Sequence, residues 1–188
     1  STLSSSSAAS DVYKRQEISG FLLVNSRNDP IKRVKKRGAK TTFFPPYVLI
    51  LGLLSSSIVD SFLIHMPIFK SNLILLILGL GLAISFFGLA IYTLKIFSDN
   101  EENASPNSAQ GQLFVGGSFK YSRNPVYLAI VLIQLSCGIA FNTWWYIISA
   151  LISIPVLTFT AIIPEEKYLE KEFGKVYTEY KKTVRRWI

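Results

Sequence analysis

The chain has 188 residues, 49% of them apolar, with a mean hydropathy of +0.34 and a formal charge of +8. It is too oily for a soluble domain and too short for a large transporter, which leaves a small membrane protein of a few spans. One histidine and one cysteine provide no disulfide, zinc cluster or Ser-His-Asp arrangement within the chain, so no metal partner is expected and most hydrolytic chemistries drop out.

The twenty Lys and Arg fall in blocks: nine precede Tyr47, Lys70 stands alone, three lie between Lys95 and Arg123, and seven follow Pro164. Basic blocks that alternate with apolar stretches follow the positive-inside rule. They predict four spans with both termini in the cytosol, and no nucleic-acid partner. The expected class is an all-α polytopic membrane protein with about four transmembrane helices and a C-terminal interfacial amphipathic helix, set in the lipid bilayer of a bacterial inner membrane or an endomembrane.

Residues 1–40 read as a disordered or basic N-terminal tail. Its Ser-rich first 16 residues resemble translated adaptor read-through and are set apart from the fold as a candidate artefact. The dense run from Lys32 to Arg37 suits an anchor on anionic headgroups. A membrane domain then covers 41–188. Its first span, near 47–64, follows Pro45-Pro46, which end earlier structure and can open a helix; Asp60 near the outer end is expected to snorkel to the interface.

The second span, near 73–96, carries Gly79, Gly81 and Gly88 with Ala83 and Ala90, small residues that let helices approach. Polar residues from Ser98 to Ser108 form a hydrated loop, a linker or a lid. Spans near 126–141 and 144–163 are joined only by Asn142 and Thr143 and must be antiparallel neighbours. That returns Arg123 and Glu165 to one membrane face as candidate partners. Over 165–182, Leu169, Phe173, Val176 and Tyr180 recur at helical steps among lysines, an amphipathic interfacial helix that Gly174 can bend and that Arg185-Arg186-Trp187 attach to headgroups.

Gly117, the run Tyr121-Ser122-Arg123-Asn124-Pro125-Val126-Tyr127, the pair Glu165-Glu166, then Leu169, Phe173-Gly174, Tyr177, Tyr180 and Val184-Arg185-Arg186 stand in a telling order. In order and separation they resemble the isoprenylcysteine carboxyl methyltransferase and phospholipid methyltransferase superfamily, over the stretch from Gly117 to Trp187. The resemblance implies an integral membrane enzyme that uses S-adenosylmethionine. It also implies that the loop before the third span, an Arg-His-Pro-x-Tyr box and the first glutamate after the fourth span wrap that cofactor.

Carried onto this chain, the resemblance makes Gln110, Leu113, Phe119, Asn124, Pro125, Tyr127 and Glu165 cofactor-binding residues, and Arg123 and Glu166 catalytic ones. Asn124 stands in the box where His is usual; it keeps a neutral donor and acceptor but cannot carry charge. The eukaryotic carboxyl methyltransferases have Arg where this chain has Ala161 and His where it has Gln110. The acceptor is therefore left as the carboxylate of a prenylated cysteine or another lipid-like group.

The residues also carry plainer readings: Arg123 as a topological charge, Asn124-Pro125 as a cap and helix start, and Glu165-Glu166 as first-turn partners of a helix dipole. Methyl transfer from a sulfonium needs alignment and exclusion of water rather than acid–base groups, which suits a chain so poor in them. Two rival classes are a sterol-type membrane reductase using NADPH and a non-catalytic membrane scaffold. Val126 in place of Asn after the proline, and the double glutamate, weigh against the reductase.

Overall fold

The structure, a computed structural model, describes residue 39 and residues 45–70, 73–105, 108 and 110–188. The expected tail and its basic run lie outside these residues, Ala39 apart. Among the described residues the chain forms α1 (Pro45–Phe62), α2 (Leu73–Asp99), α3 (Pro125–Phe141), α4 (Trp144–Leu157), α5 (Ile163–Phe173) and α6 (Lys175–Thr183). A 3-10 turn at Gly117–Lys120 precedes α3, and a π-helical segment at Thr158–Ile162 joins α4 to α5.

Helices α1 and α2 and the continuous rod from Trp144 to Phe173 are long and apolar enough to cross a membrane. The fourth apolar helix, α3, has only 17 residues, about 25 Å at 1.5 Å per residue. It packs against α1, α2 and α4 and is the most buried of the four, so protein rather than lipid surrounds it. Large apolar side chains along α2, such as Ile77, Ile84 and Phe87, are exposed, as lipid-facing residues must be. The protein is thus an all-α polytopic membrane protein.

Close packing between α2 and α3 depends on Gly79, where an added Cβ would collide with the backbone of Ala140. Gly81 and Gly88 face open space instead, so of the three glycines read as packing surfaces only Gly79 lies at a helix contact. Between α3 and α4, the buried Gln134 amide donates to Ser153 Oγ at 3.0 Å and accepts from Ser149 Oγ at 2.7 Å. An amide in an apolar interior is tolerated only when so satisfied.

At one end of the bundle the two turns are tied together. Asn142, left-handed at φ 56°, accepts from Phe69 N at 2.8 Å and donates to Phe69 O at 2.7 Å, while Trp145 Nε1 donates to Ile64 O at 2.7 Å. Asp60 does not simply reach for solvent: it accepts from Thr143 Oγ1 at 2.6 Å and pairs with His65 Nδ1 at 3.0 Å. The two-residue link and this clasp make α3 and α4 antiparallel and bring their far ends together.

Candidate active site

At the opposite end, the end of α2, the loop before α3, α5 and α6 enclose a small chamber. Its wall comprises Phe97, Gln110, Leu113, Phe114, Phe119, Arg123, Asn124, Glu165, Glu166, Leu169, Tyr177 and Tyr180, and the cavity measures about 30 Å³. Of the residues expected at a site, Gln110, Leu113, Phe119, Arg123, Asn124, Glu165 and Glu166 come together here. Pro125 and Tyr127 lie just behind the wall.

Pro125 starts α3 in the first turn, where its missing N–H is no loss. Asn124 precedes it but makes no side-chain cap; its amide donates to Arg186 O at 2.9 Å. Ser122 Oγ donates to the same carbonyl at 3.3 Å, and Arg123 N donates to Arg185 O at 3.1 Å. The C-terminal residues therefore form a strap across the box, with Trp187 packed on the core around Tyr127 and Ile130. Sequence reading placed Arg185-Arg186-Trp187 at lipid headgroups; the backbone acceptors of the strap and the Arg186 side chain are used by the protein instead.

The ion pairing also differs from expectation. Arg123 does not pair with Glu165 but with Glu166, Nη2 to Oε1 at 3.2 Å, with the two side chains 9% and 7% exposed. Arg186 grips the same carboxylate through two donors, Nε to Oε1 at 3.0 Å and Nη2 to Oε2 at 2.7 Å. Glu165 faces Tyr127, whose hydroxyl donates to Oε2 at 2.8 Å. The two adjacent glutamates thus have separate partners, one cationic and one phenolic.

The helix carrying them owes its orientation to a register change. Pro164 has no N–H for an i to i−4 bond, and Ile163 N reaches back five residues to Thr158 O. Thr158 and Thr160 hydroxyls donate to the carbonyls of Ile154 and Val156 at 2.7 and 2.6 Å, four residues back along the same rod. Further on, the expected single interfacial helix is broken: Gly174 at φ 52° ends α5 and starts α6. That turn brings Tyr177 and Tyr180 back over the chamber, where Tyr180 Oη donates to Phe119 O at 2.7 Å.

Burial, with the Glu166 carboxylate nearby, pushes the Tyr177 phenol above its ordinary value; burial does the same for Tyr180. Both stay neutral at physiological pH. The Glu166 hydrogen bond raises Arg186 above its usual value. Phe97, Phe114 and Phe119 form an aromatic wall, with Phe97 and Phe114 centroids 4.8 Å apart and Phe114 and Phe119 at 6.0 Å. Sequence reasoning missed Phe97 and Phe114 at this wall: Phe97 stands far from any motif, and Phe114, next to Leu113, is not among the residues that the resemblance marks.

Fold and chamber together define a membrane-embedded helical bundle that closes a charged, aromatic-walled site against one membrane face. The phospholipid methyltransferase family matches residues 73–176, and the chain belongs to that family. It is accordingly a membrane protein of methyltransferase type. An uncharacterised protein of Haemophilus influenzae is 36% identical to it over 63 residues, which is 34% of this chain and all of that protein. The match to the family takes in the box and both glutamates, whereas Tyr177, Tyr180 and Arg186 lie beyond it.

Proposed function

We propose that the protein transfers a methyl group from S-adenosylmethionine to a lipophilic acceptor at the cytosolic membrane face. The observation that carries this reading is the chamber itself: residues from three separate stretches meet there around an arginine with buried donors that have no partner. Those residues fit the cofactor's chemistry. The phenylalanine wall suits an adenine face, the Glu165 carboxylate suits hydroxyl or ammonium donors, and buried Arg123 Nε and Nη1, which have no partner, suit a carboxylate. When bound, S-adenosylmethionine supplies an electrophilic methyl carbon on a sulfonium, with a neutral thioether as leaving group.

The chain's own contribution is alignment and dryness. Tyr127 holds Glu165 in position, and the strap with Arg186 holds Glu166. Glu166, with both oxygens occupied by arginines, serves as an anchor for Arg123 rather than as a proton acceptor. Ligand pockets for molecules of this size measure roughly 300–1,000 Å³, so the 30 Å³ chamber is a closed state. Admission of the cofactor requires the wall of Phe97, Phe114 and Phe119 to part.

Calorimetry on detergent-purified protein tests the reading. S-adenosylmethionine should bind and NADPH should not, and Glu165→Ala should weaken binding by on the order of tenfold. Absence of binding, or binding indifferent to Glu165→Ala, would overturn the assignment.

A further inference from the structure

Within the chamber, charge and hydrogen bonding do not balance. Arg123 and Arg186 together face Glu166, so one carboxylate serves two guanidinium groups. Arg186 takes both of its oxygens, leaving Arg123 a single contact through Nη2. The Nε and Nη1 atoms of Arg123 are buried with no partner, although the side chain is only 9% exposed and lines the cavity. Neighbouring acceptors are committed elsewhere: Phe119 O to Tyr180, Arg186 O to Asn124 and Ser122, Arg185 O to the Arg123 backbone N–H. Glu165 lines the same cavity but is held by Tyr127. Buried cationic donors left so are expensive unless a ligand brings an anion to them.

We infer that Arg123 is an anion receptor of the chamber, its Nε and Nη1 donors taking a carboxylate oxygen of a bound ligand, and that Arg186 is the positioning residue keeping those donors free. A counter-ion serving only Glu166 would not need this arrangement, since Arg186 already neutralises that carboxylate. The inference rests on the methyltransferase reading for the identity of the ligands. The anion comes either with the methyl donor or with the acceptor, and the two sources are separable by experiment.

Calorimetry on the full chain in detergent compares S-adenosylmethionine with its decarboxylated form, and oleate with methyl oleate. If the donor brings the anion, the decarboxylated form binds on the order of tenfold to a hundredfold more weakly, as loss of charge-assisted hydrogen bonds requires. If the acceptor brings it, the same gap opens between oleate and methyl oleate. These pairs need no variant, so the result does not depend on a mutant that folds.

Arg186→Gln then frees Glu166 to engage Arg123 more fully, and the gap within the discriminating pair should shrink towards equality while the ligand without the anion binds as before. A purely structural role for Arg186 would instead weaken both ligands alike. Equal binding within both pairs would overturn the anion receptor even where S-adenosylmethionine binds. Failure of S-adenosylmethionine to bind at all would defeat the methyltransferase reading, and the oleate pair would still decide the receptor.

Discussion

Glu166 and Glu170 lie one helical turn apart on α5, yet their ion pairs differ in weight. Glu166 is buried between two arginines, whereas Glu170 pairs with Lys181 at 3.3 Å with side chains 48% and 31% exposed. Removing one member of a buried pair strands a charge and costs about 3–5 kcal/mol, whereas an exposed pair contributes at most about 1 kcal/mol. Arg186, 38% exposed, can turn to water, so the stranded charge is chiefly Arg123 and the effect falls near the lower figure. Glu166→Gln should therefore lower stability by about 3 kcal/mol in detergent unfolding, and Glu170→Gln by less than about 1 kcal/mol. Equal losses would show that burial does not govern the triad.

Among the elements, the π segment does most to orient the site. Each residue of a helix turns the chain by about 100°, so one residue more or fewer between α4 and α5 swings Glu165 and Glu166 away from Tyr127 and Arg123. Phe159 is 69% exposed within the segment and makes a suitable deletion. With S-adenosylmethionine as the proposed cofactor, the intact chain should be thermally stabilised by it; the shortened chain should keep its helical circular dichroism yet lose that stabilisation, while Phe159→Ala keeps both. Retained stabilisation in the deletion would mean that the register of α5 does not set the site. Gly174 works at the same scale, since a positive φ beyond the reach of most residues lets α6 fold back over the chamber.

For the molecule as a whole, the distribution of charge argues an orientation. The chamber end carries Lys95, Lys120, Arg123 and the basic residues of α5, α6 and the strap, whereas the clasped end carries Lys70. The positive-inside rule predicts a chamber that faces the cytosol, which labelling tests. With Cys137 replaced by Ala, a cysteine at the exposed position Lys70 should react with an impermeant maleimide in intact cells, and one at the exposed position Lys120 only after permeabilisation. The reverse pattern would invert the topology and remove the proposed access from the cytosol.

Much of this was legible in the sequence. Apolar runs, basic blocks and the Asn142-Thr143 link determined an all-helical membrane bundle and the antiparallel pairing that reunites the box with the glutamates, because hydropathy and chain length act locally. Several residues that line the chamber were legible too, since the family's spacing marks them. Tertiary structure alone decided which glutamate meets which partner. That choice turns on the rotation of α5, set by the π-helical bulge, and on the strap that carries Arg186 back across the box. Arg123 and Glu166 are more than forty positions apart, and their pairing over that of Arg123 with Glu165 depends on an angle between helices that no local pattern of residues expresses.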